Sequence, residues 1–297
     1  MGSIQGQGTP RFEWPVPSDC WIEDGRLIVV PAVARLYDPF DRKELPGEIA
    51  KLKPGDPDGL REFVLRYGTF GYAPVVNAVE EYKPDPELLF DLSEPLDWIW
   101  AHANGIRLVM EGIRILHERD EGKAVKYLAC LLHPDLDLAE STLENEVYGA
   151  VPQGEDMAVY EAPIGLREAT LAQRWILRAP QVRPLATVGE IVGDILTANL
   201  ALNRREVYYD AETGSIRSTF VYDAMIQAVY QQLLETAEGG RVEECDECHA
   251  LFIQTDGRQH FCPPRFKEKE SRCALRYRQR EWRKRRRQEG GSKDGQA

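Results

Sequence analysis

The most regular pattern of apolar positions in the chain runs from Leu96 to Leu116, where apolar residues recur at three- and four-residue steps. That period is typical of a helix with a wide buried face. Ser93 is a suitable N-cap for this helix, because its hydroxyl is able to accept a hydrogen bond from the first turn. Gly105 and Gly112 lie seven residues apart on one face, and we expect a second helix to approach closely there. The pattern predicts the central helix of the fold.

Other segments show weaker versions of the same patterns. Helical periodicity predicts helices at 60–67, 124–132, 166–178, 187–202 and 222–237. Two pairs of short apolar runs predict β-hairpins, one at 20–30 around Asp24-Gly25 and one at 206–221. Residues 37–58 are rich in Pro, Gly and charge, which predicts a surface loop with one short helix.

Four of the six cysteines lie within 29 residues near the end of the chain, at Cys245, Cys248, Cys262 and Cys273. A Cys-x-x-Cys turn supplies two sulfurs to one centre, and tetrahedral Zn²⁺ takes four thiolates. Unrelated buried thiols and two disulfides are the alternatives, and the clustering without a secretory signal favours zinc. His249 and His260 stand beside ligand cysteines and are alternative ligands, although four cysteines suffice.

The residues between these cysteines predict a small hairpin. Residues 251–253 form the first strand, Asp256-Gly257 the turn, and 260–262 the returning strand. We expect Phe252 and Phe261 to pack over the metal. A segment this short has too little apolar surface to fold alone, so the metal would contribute folding free energy of order ten kcal/mol.

Charge is divided unevenly along the chain. Residues 241–297 hold 15 Lys and Arg against 10 Asp and Glu, a net charge of +5, whereas residues 1–240 hold 22 against 39, a net charge of −17. Such asymmetry is typical of a chain with a partner-binding end.

The chain after Cys273 has neither Pro nor Gly before Gly290, which predicts a helix. Leu275 and Trp282 share one face, which we expect to dock on the zinc-binding turn. Arginines with interleaved aromatic residues suit phosphate contacts and stacking on bases. We predict nucleic-acid binding, with DNA favoured and RNA as a variant, through Arg276, Arg278, Arg280, Trp282, Arg283, Lys284, Arg285, Arg286 and Arg287. The alternative is a basic helix that pairs with acidic protein, including the acidic body of its own chain.

These C-terminal residues resemble the CGNR-type zinc finger of bacterial proteins. The likeness covers about 235–287 and rests on the Cys-x-x-Cys pair, Leu251-Phe252, Phe261-Cys262, and Cys273-Ala-Leu-Arg276 before a basic helix. In that family the finger ends a chain whose earlier part is helical, often of the ABATE type, and the proteins are described as transcription regulators. The resemblance implies zinc ligation by the four cysteines, DNA binding and a regulatory role.

The predicted organisation has four parts. Residues 1–18 form a flexible N-terminus, 19–238 a mostly helical body with a sub-boundary near 135–163, 241–287 the zinc finger and basic helix, and 288–297 a disordered tail. The predicted fold class is mainly α with two β-hairpins (α+β), plus a small C-terminal zinc-binding finger that ends in a basic helix.

Signatures of several functional classes are missing from the sequence. No run of eighteen uncharged apolar residues occurs, so we expect no membrane partner, and a reduced thiolate site suits the cytoplasm. With no nucleotide loop, serine elbow or metalloprotease helix, we expect no enzyme activity. Cys20 and Cys130 are predicted to be buried and inert, and His102 and His117 to be core or solvated side chains. The body then senses a ligand or holds a homo-oligomer together.

Overall fold

The structure, a computed structural model, describes residues 13–30, 32–71, 93–131, 183–201, 204–210, 215–222 and 224–291, of which 129–131, 204–210, 216–221 and 287–291 are described by their backbone alone. Within these residues the chain is a mixture of helices and small antiparallel sheets, which confirms the α+β class. The α-helices are α1 (Leu45–Ala50), α2 (Pro57–Tyr67), α3 (Leu96–Glu118), α4 (Glu121–Leu131), α5 (Pro184–Leu200), α6 (Met225–Gly239) and α7 (Arg272–Gly291).

The strands form four small sheets. Their order is β1-β4, β2-β3-β5, β6-β7 and β8-β9, with all pairs antiparallel. The strands are β1 (Trp14–Pro17), β2 (Cys20–Glu23), β3 (Arg26–Val29), β4 (Val33–Tyr37), β5 (Glu94–Pro95), β6 (Arg204–Asp210), β7 (Ser215–Val221), β8 (Arg241–Glu244) and β9 (Leu251–Gln254).

Helix α3 lies at the centre of the core, as its apolar stripe predicts. Ile99, Ile106 and Met110 have no exposed surface. A Cβ atom at Gly112 would overlap Val192 of α5, so the close helix approach predicted at this glycine is confirmed. His102 is buried on α3 and hydrogen-bonds the Tyr230 hydroxyl of α6 through Nδ1, at 3.1 Å.

The start of α3 differs from the prediction. The helix begins at Leu96 with Pro95 as its N-cap, two residues after the predicted cap, Ser93. Residues 94–95 instead extend the β2-β3 sheet, and Arg26 donates hydrogen bonds to the hydroxyl and the carbonyl of Ser93. A long-range contact with the sheet therefore takes the hydroxyl that local capping would have used.

Two segments expected on the surface are built into the fold. Strand β1 lies inside the predicted flexible N-terminus, yet it pairs with β4, and Val16 is fully buried. Pro15 and Pro17 do not prevent this, since proline is tolerated in an edge strand. Helix α1 is the one short helix predicted within the surface loop 37–58, but it buries Leu45 and Ile49 completely because it packs under α3 and α6.

Most other predicted elements are present with shifted ends. The 20–30 hairpin turns at Asp24 and Gly25, both with positive φ, as its Asp-Gly turn predicts. Helix α2 is capped by the Asp56 side chain and ends before Gly68, whose φ is +88°. Helices α4, α5 and α6 and the β6-β7 hairpin lie at predicted segments. The predicted helix at 166–178 and the sub-boundary at 135–163 lie outside the described residues.

The β8-β9 hairpin docks on the body. Val242 of β8 and Ile253 of β9 belong to the same buried cluster as the residues of α3, and both strands contact α3. A Cβ atom at Gly47 of α1 would lie 2.9 Å from the Leu251 carbonyl oxygen, so α1 and β9 are in close backbone contact. The hairpin that carries the first two cysteines is thus held by the main core.

Candidate metal centre

The first two cysteines lie in the loop of the β8-β9 hairpin. The Cys245 N–H donates to the Ala250 carbonyl at 3.0 Å and the His249 N–H donates to the Cys245 carbonyl at 2.9 Å, which closes a tight turn. We call residues 245–250 the knuckle. Strand β9 pairs with β8, which precedes the knuckle, and not with residues 260–262, so the strand predicted there is wrong. The observed pairing buries Val242 and Ile253 in the core. Residues 260–262 instead reach the knuckle through the His260 carbonyl, which accepts from the Asp246 N–H.

All four cysteines predicted as metal ligands meet at one point. Their Sγ atoms lie within 4.8 Å of one another, and the Sγ atoms of Cys248 and Cys262 are 3.5 Å apart. Four thiolates bound tetrahedrally about 2.3 Å from one Zn²⁺ are about 3.8 Å apart, so the cluster is close to the geometry that such an ion requires. Cys245, Cys262 and Cys273 are buried, whereas Cys248 is exposed. The arrangement is able to hold a metal ion.

The surroundings of Cys245 favour its thiolate. Burial raises the pKa of this thiol, but hydrogen bonds from backbone N–H groups outweigh burial and lower the pKa to about 7. The donors are the N–H groups of Glu247, Cys248 and Cys262. Burial dominates at Cys262 and Cys273 and raises the pKa of each thiol. A bound cation offsets that penalty, because a metal ion stabilises the thiolate form.

The two histidines beside the cysteines do not join the cluster of the described residues. The His249 Nδ1 lies 2.9 Å from a Glu244 carboxylate oxygen, and the His260 Nδ1 lies 3.9 Å from Asp246. Both side chains are exposed. His249 has a φ of +59°, so the turn of the knuckle holds this residue in the left-handed conformation. Glycine adopts that conformation more readily than residues with a Cβ atom do.

Aromatic packing over the cysteines is as predicted for Phe252 and Phe261. Phe252 is buried in one cluster with Cys245, Cys262 and Cys273, and Phe261 packs at its edge. Tyr277 of α7 lies against Phe261, with ring centroids 5.2 Å apart. The predicted docking of Leu275 and Trp282 on the knuckle is wrong, since they are 44% and 55% exposed. The helical period places them opposite Cys273 and Tyr277, which take the inner face.

Lys51, the residue after the end of α1, is a cation that interacts electrostatically with the thiols. Burial lowers the pKa of Lys51, but Glu48, Cys262 and Cys248 together raise it, so this ammonium is charged. Four thiolates around a divalent ion carry a net charge of about −2, and a neighbouring ammonium offsets part of it. Sequence reasoning missed Lys51, because it lies almost two hundred positions before Cys245, the first cysteine of the cluster.

Residues 263–271, between Cys262 and the start of α7, connect the metal centre to the body, and we call this segment the strap. Its Phe266 packs on Tyr37 and Tyr67, and the guanidinium of Arg42 lies 3.9 Å from the Phe266 ring centroid. The Phe266 N–H donates to the Tyr67 hydroxyl at 3.2 Å. Arg265 reaches the buried Glu48 at 2.6 Å. The sequence gives no local signal for these contacts.

Helix α7 is solvated on nearly all sides beyond its first turn. Between Leu275 and Arg286 every residue is exposed except Glu281. Arg278, Arg280 and Lys284 pair with Glu270, Glu247 and Glu281, all within the C-terminal part of the chain. Arg286 lies over the Trp282 ring, 4.5 Å from its centroid. Arg276 and Arg283 have no carboxylate partner among the described residues. Arg285 interacts electrostatically with Glu281 without a direct ion pair, and the Arg287 side chain lies outside the described residues.

The remaining candidates from the sequence lie away from this centre. Cys20 is buried, and burial raises its pKa to about 11, as expected of an inert thiol. The Cys130 side chain lies outside the described residues. His102 is a core side chain and His117 is exposed, which agrees with their prediction. Within the described ranges, every helix is too short or too polar to cross a lipid bilayer.

Comparison of the chain with protein-family models, with curated proteins and with solved structures gives no match.

Proposed function

We propose that Cys245, Cys248, Cys262 and Cys273 hold one structural Zn²⁺, and that the centre fixes α7 as a nucleic-acid-binding helix with duplex DNA as its main partner. The chain would then act as a zinc-dependent regulator of transcription, in line with the CGNR-type resemblance. The observation that carries the proposal is the convergence of four sulfurs at the base of a solvated, arginine-rich helix.

The donor set favours zinc. Four thiolates in tetrahedral reach of one ion suit Zn²⁺, which is a common metal in such structural sites. When bound, zinc supplies folding free energy to a segment with little apolar surface of its own. The rest of the protein supports the ion in three ways. The backbone hydrogen bonds of the knuckle orient the thiols, buried Phe252 packs against them, and the ammonium of Lys51 offsets part of their negative charge.

Exposure and charge of α7 favour a polyanionic partner. A twenty-residue helix is about 30 Å long, enough to follow a groove of duplex DNA. One exposed flank of the helix carries Arg276 and Arg283, which have no carboxylate partner within the described residues. Phosphates would supply the missing negative charge, and Trp282 with its stacked Arg286 would meet a sugar or a base.

A helix that binds acidic protein is the second candidate. Leu275 and Trp282 form an exposed apolar stripe between cations, which an acidic amphipathic helix would also fit. Binding of this kind would bury apolar surface and would depend less steeply on salt than phosphate contacts do.

Fluorescence anisotropy measures the affinity for a DNA duplex of arbitrary sequence, and for single-stranded DNA and RNA of that sequence, over a series of salt concentrations. The double variant Arg283→Gln/Arg285→Gln should bind duplex more weakly, and the slope of log K against log salt should fall by about 2, near 0.9 for each lost phosphate contact. Arg258→Gln/Arg119→Gln, equal in charge change and placed elsewhere, is the control. Equal losses in the two doubles, or affinity independent of salt, would reject nucleic-acid binding by α7.

A further inference from the structure

A second feature of the molecule lies where the body meets the knuckle. A cleft of about 880 Å³ opens between α1, α3, α4 and the knuckle, and Leu108, Tyr127 and Leu251 are among its apolar lining residues. This volume is in the range of small-molecule sites, which are mostly apolar and carry a few placed polar groups.

The charge of this cleft is opposite to that of the body around it. Residues 1–240 carry a net charge of −17, yet the described lining includes Glu111 and Glu244 as its only carboxylates. Against these two stand six cations, which are Lys51, Lys53, Arg107, Arg114, Lys123 and Lys126. Concentrated positive charge in a concave site attracts anions, because the low-dielectric walls focus the field.

The two arginines in the lining are already engaged. Arg107 donates to the carbonyls of Ala50 and Leu52 at 3.0 Å each. Arg114 pairs with Glu111 and with Glu244. Both guanidinium groups therefore help to build the cleft, and the charge available to a ligand comes from lysines.

Among the described residues, two of the four lysines in the lining form ion pairs and two do not. Lys51 pairs with Glu48, and Lys123 pairs with Glu118. Lys53 and Lys126 are exposed at the cleft and have no ion-pair partner among the described residues. Ammonium groups act as point charges that suit phosphate, whereas bidentate recognition of a carboxylate calls on a free guanidinium.

We propose that this cleft binds a small organic phosphate, whose phosphates lie on Lys53 and Lys126 and whose apolar part lies against Leu108 and Tyr127. The bound molecule contacts both the body and the knuckle, whose residues Cys248, His249 and Ala250 line the same cleft. The bound molecule would therefore stabilise the docking of the knuckle on the body. This site is separate from α7 and does not rest on nucleic-acid binding by that helix.

The test uses the full chain with its metal, in an Arg283→Gln/Arg285→Gln background that weakens phosphate binding by α7. Isothermal titration and thermal unfolding are measured with adenosine triphosphate, inorganic triphosphate and adenosine. We expect adenosine triphosphate to bind more tightly than inorganic triphosphate and to raise the Tm, and adenosine to bind at least tenfold more weakly than adenosine triphosphate.

Charge reversal locates the site. Lys53→Glu/Lys126→Glu should weaken adenosine triphosphate binding by about tenfold or more, since each reversal turns an attraction into a repulsion. Lys269→Glu, an exposed lysine of the strap that does not line the cleft, should leave the affinity unchanged. The proposal is overturned by equal binding of adenosine and adenosine triphosphate, by an affinity that survives the double reversal, or by absence of binding for both phosphate probes. None of these outcomes depends on whether α7 binds DNA.

Discussion

The Arg265 guanidinium lies 2.6 Å from the carboxylate of Glu48, and this pair ties the strap between two candidate metal ligands to the first helix of the body. Glu48 is 7% exposed and also pairs with Lys51, the cation beside the thiols. One buried carboxylate therefore links the docking of the strap with the charge of the metal centre.

Glu48→Gln should destabilise the chain by about 2 kcal/mol, because it leaves two partly buried cations without their compensating charge. Glu62→Gln is the matched control, since Glu62 also pairs with Arg265 but is 50% exposed. Exposed pairs contribute less than about 1 kcal/mol. Urea unfolding of both variants measures the difference, and equal losses would show that burial of Glu48 has no part in holding the strap.

The two glycines Gly112 and Gly193 should respond in opposite directions to alanine. A Cβ atom at Gly112 overlaps Val192, whereas one at Gly193 meets nothing within 4 Å. Gly112→Ala should therefore destabilise by about 1–2 kcal/mol through overpacking, and Gly193→Ala should stabilise by up to about 1 kcal/mol through helix propensity. Thermal or chemical unfolding reads out both. A stabilising Gly112→Ala would contradict the close packing of α3 on α5.

Those features of the structure that depend on residues close together in the sequence were predictable, and those that depend on long-range packing were not. The convergence of four cysteines, the Asp24-Gly25 turn and the α3 stripe follow from spacing and period alone, and each was predictable. The short helix α1 was predictable but its burial was not, because the Pro and Gly content of this segment is typical of the surface and only packing under α3 and α6 makes the helix part of the core. The docking of the strap was not predictable either, since Phe266 contacts Tyr67, which lies about two hundred positions earlier in the sequence.

The face of α7 was predicted from the wrong pair of residues. Leu275 and Trp282 are the most apolar positions of that helix, and hydrophobicity alone predicts that they face inward. Cys273 decides otherwise, because a cysteine fixed in the cluster sets the rotation of the helix and brings Tyr277 to Phe261. Chemistry at one residue overrides the apolar pattern of the helix that follows it.

The knuckle should accept glycine at His249 better than alanine. Both substitutions remove the imidazole and its contact with Glu244, and they differ only in the Cβ atom at a φ of +59°. A left-handed conformation costs a residue with a Cβ atom about 1 kcal/mol. His249→Gly should thus be about 1 kcal/mol more stable than His249→Ala in equilibrium unfolding. The reverse order would show that this turn is not under backbone strain.

His102 should make the stability of the chain depend on pH. Burial lowers the pKa of this imidazole to about 3, whereas in the unfolded chain it is near 6.5. Between these values the unfolded chain binds one more proton than the folded one, so stability falls as the pH falls, by about 1.4 kcal/mol for each pH unit below about 6.5.

His102→Gln should flatten that dependence, because glutamine does not titrate and is still able to hydrogen-bond Tyr230. Exposed His117→Gln is the control and should keep the slope of the parent chain. Both variants retain the four cysteines, so acid release of metal affects them equally and cancels in the comparison. Identical slopes in unfolding between about pH 7 and about pH 5 would mean that folding does not lower the pKa of His102.

Zinc content per chain, measured on protein purified under reducing conditions, tests the metal centre most directly. The account predicts about one zinc ion per chain, a large loss of zinc on Cys245→Ser or Cys262→Ser, and an unchanged content on Cys20→Ser, which alters a buried thiol outside the cluster. A chain with reduced thiols that holds no zinc after exposure to the ion, or one that loses as much zinc on Cys20→Ser as on Cys245→Ser, would contradict it.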